Sequence, residues 1–351
     1  MELTSLAERV AAVTLNADSH SRRDSALASI RVLAVIPGDG LGAGFVFVRR
    51  QLRSLERMGV QVHEIYLRSR TSPTSLIRTW RQLQREIAEF RPHILHSHYG
   101  TVTSFLCAIT EGAPLVITFR GSDLVPHPSV GWLRGQFSTV FSQFSVLRAR
   151  RVICVSRQLR DRLWWGKKKA VVLPSGVNLK LFCPMPIQEA RAVLGWDLSE
   201  LVVLSCGGAE PAAKGLALIQ AAMNHVVQST GPPVRLFNLD GTLAPETIPL
   251  YLNAADCLAF ASLREGSPNI IKEAIACNLP VVSVEVGDVS ERLAGIYPSK
   301  IVRRDAIEFG AALVEVLKTR RRSNGFEKVA EYSEEAVASV LRSVYEEIQS
   351  E

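Results

Sequence analysis

Residues 262–280, SLREGSPNIIKEAIACNLP, lie between two apolar stretches, 256–261 and 280–286, that have the composition of buried strands. Ser267 is a favourable N-cap and Pro268 suits the first position of a helix, so a helix is predicted to begin here. A strand, a loop, a helix and a second strand in this order are typical of a parallel α/β fold. The stretch therefore predicts the fold class and places a strand-to-helix junction at its centre.

The same junction predicts a ligand site. With a helix starting here, the backbone N–H groups of Asn269 and Ile270 are free to hold an anion. Glu265 lies in the loop, and Glu273 lies in the helix on the same face as Asn269. Amides for a phosphate and two carboxylates for hydroxyl groups suit a nucleotide sugar. Taken alone, the two glutamates are better explained by a capped crossover helix with a solvated face, so the choice depends on the other motifs.

Bulk composition describes an ordinary globular chain. Its 351 residues predict about two domains, and 47% hydrophobic with 21% charged residues provide a sizeable core. No apolar run approaches the roughly 20 residues of a membrane span. Residues 1–29 predict a polar extension without a secretory signal, and we assign it no function. The six scattered cysteines predict free thiols in a reducing, cytoplasmic compartment and no structural zinc site.

The net charge of +7 permits an anionic partner. No nucleic-acid-binding motif accompanies it, so we expect no nucleic acid. Trp164 and Trp165 stand beside the lysines at 167–169, a combination that suits an anionic membrane surface. A solvated basic face explains the same residues, and the sequence leaves both explanations open.

Strand-like and helix-like segments alternate along nearly the whole chain. This alternation predicts two doubly wound, Rossmann-like domains, 30–175 and 176–330, followed by a C-terminal helix in 331–351. Ligands of open α/β sheets bind at the carboxyl ends of the strands, which predicts a site in the cleft between two facing domains. The predicted strands are 31–36, 60–66, 93–97, 115–118, 152–156, 171–173, 201–205, 234–237, 256–261 and 280–286, and the principal helices are 45–57, 75–90, 306–317 and 333–348.

The loop after the first strand, PGDGLGAG, predicts a different function. Gly38, Gly40 and Ala43 satisfy the G-x-G-x-x-A form of the dinucleotide fingerprint. The only acid near the end of the second strand, Glu64, lies inside that strand and is poorly placed for a ribose, whereas Arg68 suits the extra phosphate of NADP. An NADP-dependent oxidoreductase is therefore one alternative. The glycines would otherwise let an acceptor or a phosphate approach the backbone, or form a flexible loop.

Three candidate site residues of the first half, His98, Arg120 and Asp123, lie at or just after the ends of predicted strands. His96 and His98 share a strand face, but no third metal ligand is evident, and a contact of His98 with a sugar or acceptor is favoured over a metal site. Arg120 would present a planar cation to phosphate or sugar oxygens. Asp123 would accept from a hydroxyl group or cap the following turn. In the second half, Lys214 stands beside a helix that begins near Gly215, where it would pair with a diphosphate.

Together, these motifs resemble glycosyltransferase family 4, whose members are retaining enzymes with the GT-B fold. The resemblance rests on Glu265-x7-Glu273, the Lys214-Gly215 loop, the Pro174-Ser-Gly-Val joint, the Arg120-Gly-Ser-Asp123 segment and the glycine-rich first loop. It runs from about residue 30 to the C-terminus and is most specific over 256–292.

The resemblance implies a role for each matching position. Glu273 would hold the ribose hydroxyls and Glu265 the hydroxyls of the donor sugar. Lys214 and the amides around Gly266, Ser267, Pro268, Asn269 and Ile270 would hold the diphosphate. Gly42, Gly44 and Asp123 would lie along the bound donor, and His98 and Arg120 would face the sugar.

Two positions depart from the family pattern. Family members commonly have histidine where this chain has Arg120, and an arginine shortly before the lysine, where this chain has Gly-Gly-Ala-Glu210. The second departure removes a cation and adds a carboxylate. It suggests a further alternative, a catalytically inactive GT-B subunit that only binds the donor.

The implied activity is retaining transfer of a hexose-type sugar from a nucleotide-diphosphate sugar to a hydroxyl acceptor. No DxD-type motif is present, so we expect no metal and no other cofactor. The resemblance to bacterial surface-polysaccharide enzymes implies a lipid-linked glycan acceptor and a cytoplasmic protein in peripheral contact with the anionic inner face of the plasma membrane. A soluble acceptor is the alternative. The sequence leaves open the donor base and sugar, the linkage and the oligomeric state.

Overall fold

The protein consists of two α/β units. A computed structural model describes residues 29–41, 44–126, 131–208 and 210–351. The first unit comprises Met1–Gly176 with Glu331–Glu351, and the second comprises Val177–Ala330. Apart from Ser29, the predicted extension 1–29 lies outside the described residues, as do Gly42 and Ala43.

The first unit is built on six parallel strands in the order β2-β1-β3-β4-β5-β6. The strands are β1 Arg31–Pro37, β2 Gln61–Leu67, β3 Ile94–Ser97, β4 Leu115–Phe119, β5 Arg151–Cys154 and β6 Ala170–Val172. The helices are α1 Val46–Arg57, α2 Pro73–Phe90, α3 Thr101–Ala108, α4 Trp132–Arg148 and α5 Arg157–Asp161. The central strands are buried on both faces, which explains their continuous apolar sequences.

The last helix of the chain, α12 (Glu334–Ser350), belongs to this first unit. It begins as the sequence predicts, with the Ser333 side chain accepting from the N–H of Ala336 at 3.1 Å. It packs on α1, where Arg342 Nη1 donates to the carbonyl oxygen of Met58 at 3.0 Å. Tyr345 is fully buried beside the sheet, so α12 is part of the core of the first unit.

The second unit has five parallel strands in the order β11-β10-β9-β7-β8. The strands are β7 Leu201–Ser205, β8 Val234–Asn238, β9 Cys257–Phe260, β10 Val281–Val284 and β11 Lys300–Val302. The helices are α6 Ile187–Leu194, α7 Leu216–Ser229, α8 Ile248–Ala254, α9 Asn269–Ala276, α10 Val289–Leu293 and α11 Ala306–Thr319. The α/β class and the ten predicted strands are confirmed. The edge strand β11 was not predicted, because its three half-buried residues show no distinctive pattern.

Gly215 fixes the approach of α7 to the end of β9. Its φ is +70°, and a Cβ there would lie 2.0 Å from the carbonyl oxygen of Ala261. Gly195, at the end of α6, has a similar φ of +66° but open space around it. Comparing substitutions at the two glycines therefore distinguishes the cost of backbone strain from the cost of a steric clash.

We expect Gly215→Ala to destabilise the second unit by about 3 kcal/mol or more, since strain and overpacking add. Gly195→Ala should cost only about 1 kcal/mol, the strain alone. Urea unfolding followed by the fluorescence of the protein's tryptophans would measure both. Equal losses in the two variants would show that the contact between Gly215 and Ala261 does not constrain the fold.

Candidate active site

The loop after β9 carries the first glutamate of the pair. The Glu265 carboxylate turns back onto its own loop, where Ser262 Oγ donates to Oε1 at 2.8 Å. Lys214 Nζ donates to the same oxygen at 2.6 Å. Both side chains are partly shielded, with 17% of Glu265 and 33% of Lys214 exposed. The sequence separates these residues by 51 positions, and the fold makes them an ion pair.

Backbone contacts hold the two loops together. The N–H of Leu263 donates to the carbonyl oxygen of Ala213 at 2.9 Å. Burial acts to lower the pKa of Lys214, but the charge and hydrogen bond of Glu265 outweigh it, so the pKa is raised. Lys214 is thus a fixed ammonium at the carboxyl ends of β7 and β9.

The start of α9 differs from the sequence prediction. The helix begins at Asn269 with Pro268 as N-cap, and among the described residues no side chain caps its first amides. The prediction that Ser267 is the N-cap, with Pro268 as first helical residue, was wrong. Ser267 Oγ instead lies 3.0 Å from Lys272 Nζ, which donates to it. The first-turn amides of Asn269 and Ile270 remain without intrahelical acceptors, as at any helix start.

Lys272 is a residue whose position the sequence analysis missed. Its side chain is fully buried beneath the start of α9, an unusual location for lysine. The signal was present, because Lys272 lies on the same helical face as the buried Ile275 and Ala276, at spacings of three and four. Its ammonium fixes the loop at Ser267.

Glu273 lies in the second turn of α9 and is half-buried. Its proximity to the other candidates is shown by Cys206, which lies just after β7 and is close enough to all three side chains to be affected by their charges. Burial raises the pKa of the Cys206 thiol, and the nearby charges of Lys214, Glu265 and Glu273 act on it too. The structure therefore gathers Lys214, Glu265 and Glu273 around one point at the carboxyl edge of the sheet.

Arg304 is a second residue that the sequence analysis missed. Its guanidinium donates to the carbonyl oxygens of Ala261 at 2.9 Å and Ser262 at 2.6 Å. It thereby holds the chain where β9 turns into the glutamate loop. Arg304 follows β11, the strand without a sequence signal, so only the fold reveals this contact.

In the first unit, Arg120 is held by a set of neutral partners. Its guanidinium donates to Ser175 Oγ at 2.9 Å and to the carbonyl oxygen of His98 at 3.2 Å. It also stacks on the ring of Phe47, 4.7 Å from the centroid. Burial lowers the pKa of Arg120 to about 10, so the group stays cationic at neutral pH. The cation is held in place, and no carboxylate of the described residues contacts its guanidinium.

His98 and His96 have different environments. Both ring nitrogens of His96 are occupied, by Tyr345 at 2.6 Å and Thr118 at 2.8 Å. His98 Nε2 is buried and has no hydrogen-bond partner among the described residues. Burial lowers the pKa of both rings well below the usual range. His98 is thus a neutral imidazole with a nitrogen left to bind, whereas His96 is structural.

Asp123 and the glycines complete the predicted set. The Asp123 carboxylate is fully buried and accepts from the backbone N–H groups of Gly100, Arg120 and Gly121 at 2.8–3.1 Å. Those bonds fit the capping alternative for Asp123. Gly44 precedes α1, and its carbonyl oxygen accepts from Arg49 at 2.7 Å.

The loop with the dinucleotide fingerprint packs on a tyrosine. A Cβ at Gly40 would lie 2.9 Å from the ring of Tyr66, whose hydroxyl is hydrogen-bonded to Glu64. Gly40 therefore has a packing reason to be glycine. Glu64, the acid that a ribose would need, is engaged by Tyr66.

Comparison with known proteins gives two family matches, one in each unit. Residues 38–181 match the model of Glycosyltransferase Family 4, and residues 200–319 match that of Glycosyl transferases group 1. A relative from Bacillus subtilis, described as a putative teichuronic acid biosynthesis glycosyltransferase, is 27% identical over 67% of this chain and 65% of its own length. The chain thus spans slightly less than two thirds of that relative.

Solved structures share the fold. Sucrose-phosphate synthase from Thermosynechococcus elongatus aligns with a TM-score of 0.75 at 19% identity, covering 91% of this chain and 98% of that one. An Anabaena protein, HepE, solved in complex with UDP-glucose, aligns with a TM-score of 0.63 at 15% identity over 91% and 98%. At these identities the similarity establishes the fold.

Proposed function

Because the chain belongs to the family 4 and group 1 glycosyltransferases and has the GT-B fold, we propose that it transfers a hexose-type sugar from a nucleotide-diphosphate sugar to a hydroxyl acceptor, with retention. The observation that carries the proposal is the gathering of Lys214, Glu265 and Glu273 at the carboxyl edge of the second sheet. Parallel α/β sheets bind nucleotides at that edge. HepE, which shares the fold, was solved in complex with UDP-glucose, and this supports a nucleotide-sugar donor.

Each donor group has a chemical counterpart in the second unit. Glu273 accepts hydrogen bonds from the ribose hydroxyls, and Glu265 accepts from the hydroxyls of the sugar. The ammonium of Lys214 and the first-turn amides of α9 hold the diphosphate. Lys214 already contacts Glu265, so one ion pair links the sugar contact to the phosphate contact.

In the reaction, the bond between the anomeric carbon and the phosphate oxygen breaks, and the acceptor oxygen bonds to the same face of that carbon. The departing phosphate takes the acceptor proton. Charge develops on the diphosphate, and Lys214 stabilises it without a metal ion. In the first unit, the Arg120 guanidinium suits a phosphate, and His98 Nε2, without a hydrogen-bond partner among the described residues, suits a sugar hydroxyl.

A donor-binding panel tests this function. We expect one UDP-, GDP- or ADP-sugar to raise the melting temperature of the protein, because a ligand that binds the native state stabilises it. NADPH serves as the control for the alternative use of Gly38, Gly40 and Ala43. A shift with NADPH alone would contradict the transferase. Donor binding without transfer or hydrolysis would favour the inactive-subunit alternative.

The proposed acceptor is a lipid-linked glycan, and α4 supports its membrane location. This helix exposes apolar residues and buries small or polar ones, the reverse of an ordinary amphipathic helix. The exposed stripe recurs at spacings of four, three, four and three, and consists of Leu133, Phe137, the half-buried Val140, Phe144 and Leu147. The buried face includes Gly135, Ser142, Gln143 and Ser145. Such a helix needs an apolar partner outside its own unit's core.

The charge around the stripe supports an anionic bilayer as the partner, although Arg150 and Arg151 already pair with Glu351. Residues 131–169 contain ten basic side chains and one acid, Asp161, and α4 itself has no acid. The basic residues are Arg134, Arg148, Arg150, Arg151, Arg157, Arg160, Arg162, Lys167, Lys168 and Lys169. Trp165 contacts Phe144, with ring centroids 5.6 Å apart, and Trp164 is 55% exposed beside it. Apolar residues and tryptophans within a basic rim are typical of an interfacial surface.

In the structure, no helix formed by the described residues has the length and apolar character needed to cross a bilayer. The exposed stripe and the basic residues beside it support peripheral contact with the inner face of the plasma membrane as the proposed location.

We expect Leu133→Glu to reduce binding to anionic vesicles by about tenfold or more, because it removes an exposed leucine that would insert into the bilayer and adds a charge that the anionic lipids repel. Cosedimentation with vesicles of phosphatidylglycerol and phosphatidylcholine measures this. Val193, which is 72% exposed on α6 of the second unit, provides the control, and Val193→Glu should bind as the wild type does. Equal losses in both variants would show that α4 is not the contact surface.

A further inference from the structure

A second polar site lies wholly within the first unit. It is a cavity of about 320 Å³ at the carboxyl ends of β2, β3 and β4, closed on one side by α4. Its polar walls come from Arg70 after β2, Tyr99 and Thr101 after β3, Ser122 after β4 and Arg134 of α4. None of the donor-binding candidates of the second unit contributes to it.

The cavity is cationic. Arg70 and Arg134 both line it, and its described lining contains no carboxylate. The guanidinium of Arg70 lies 5.3 Å above the ring of Tyr99, whose hydroxyl is 2.6 Å from Ser122 Oγ. Asp123, which follows the lining residue Ser122, already accepts hydrogen bonds from three backbone N–H groups. Within the described lining, the charges of Arg70 and Arg134 therefore have no carboxylate opposite them.

Thr101 provides an independent indication of a ligand. Its side chain is 5% exposed, and Oγ1 has no hydrogen-bond partner among the described residues. Its φ of +61° is unusual for a β-branched residue. A buried hydroxyl without a partner costs stability unless a ligand satisfies it. Thr101 also begins α3, whose next amides, those of Val102 and Thr103, have no intrahelical acceptor.

The surrounding bonds hold this loop in place. The N–H of Thr101 donates to Ser142 Oγ at 2.7 Å, and the N–H of Gly100 donates to Asp123 Oδ2 at 3.1 Å. A Cβ at Gly100 would lie 2.6 Å from Ser142 Oγ, so the loop fits closely against α4. The donors are thus positioned before any ligand arrives, which lowers the entropic cost of binding.

We propose that this cavity binds the phosphate group of a phosphorylated acceptor. Two guanidiniums, a hydroxyl and helix-start amides are the groups that bind phosphate dianions. The volume suits a phosphate ester and part of its carrier, and the apolar side chains of Phe137 and Phe141 line the rest. That the bound phosphate ester is the acceptor of sugar transfer rests on the proposed function. The site itself is independent of the donor, which the second unit holds.

The test is direct binding to the full chain, measured by titration calorimetry. Glucose 6-phosphate should bind and glucose, its neutral counterpart, should not. Arg134→Gln and Arg70→Gln should each weaken binding by about tenfold or more, the value of a charge-assisted hydrogen bond. Thr101→Val, which preserves shape, should weaken it by a few fold. Arg85→Gln, at an exposed position of α2 in the same unit, is the matched control and should leave binding unchanged.

A second arm identifies the source of the phosphate. Dioleoyl phosphatidic acid in neutral micelles is compared with glucose 6-phosphate, and loss of either interaction in Arg70→Gln, whose side chain is not part of the basic surface beside α4, supports the site. Tighter binding of the lipid identifies a lipid phosphate, and tighter binding of the sugar a soluble one. Unchanged binding in both arginine variants would overturn the inference. So would binding that is lost in Lys214→Met but kept in Arg134→Gln.

Failure of this inference and failure of the proposed function give different results. Nucleotide-sugar binding with no phosphate-ester binding leaves the transferase proposal in place and removes the acceptor phosphate site. Phosphate-ester binding that depends on Arg134, with no nucleotide-sugar binding, leaves the phosphate site in place and removes the transferase proposal.

Discussion

Replacing Lys214 with methionine is expected to lower kcat for sugar transfer by about 10² to 10³-fold, the usual loss for one group that stabilises charge in the transition state. Methionine keeps most of the length of the unbranched lysine side chain and removes its charge and its hydrogen-bond donors. The ammonium is fixed by Glu265 at 2.6 Å, so it needs no reorganisation as the diphosphate departs. Steady-state kinetics with the donor identified by the binding panel measure the loss.

Two controls distinguish this effect from a structural one. Lys318→Met changes an exposed lysine on α11 of the same unit and should leave kcat unchanged. The melting temperature of Lys214→Met shows whether the partly buried Glu265, left without its cation, destabilises the fold. A kcat within a fewfold of the wild type in a folded Lys214→Met protein would remove Lys214 from the chemistry.

Replacing Glu273 with glutamine is expected to weaken donor binding by about 10 to 100-fold. A hydrogen bond to a charged group contributes about 1.5–3 kcal/mol, and each 1.4 kcal/mol is tenfold in Kd. The ribose lies away from the reacting bond, so its contact is the same in the ground state and the transition state. KM should therefore rise while kcat at saturating donor changes little.

Separate measurement of KM and kcat is the diagnostic experiment for Glu273. Glu246→Gln, on an exposed loop of the same unit, is the matched control and should bind donor as the wild type does. A Glu273→Gln protein with wild-type donor affinity would show that the α9 glutamate is not a donor contact. A fall in kcat with unchanged KM would assign it to the chemistry instead.

Local patterns in the sequence were sufficient for most of the fold. Continuous apolar runs such as 32–36 and 201–204 indicate strands buried on both faces, because they are short for helices and their side chains are all apolar. Ser333 marked the start of α12 because its hydroxyl satisfies a free amide. The sequence was misleading at Ser267, where capping propensity predicted a bond to the helix amides. In the structure, a buried lysine ammonium, Lys272, bonds to that hydroxyl instead.

Some residues of the candidate site could be proposed from the sequence, whereas their contacts could not. Chemical type and strand-to-helix position were sufficient to propose Glu265, Glu273 and Lys214, because both are local properties of the chain. Tertiary structure alone decided that Lys214 pairs with Glu265, that Arg304 holds the glutamate loop, and that Asp123 is fully occupied by amides. Tertiary structure likewise brought Arg70, Thr101 and Arg134 to one cavity. The physical reason is that these contacts join side chains far apart in the sequence, whose distances are set only when the sheets and helices pack.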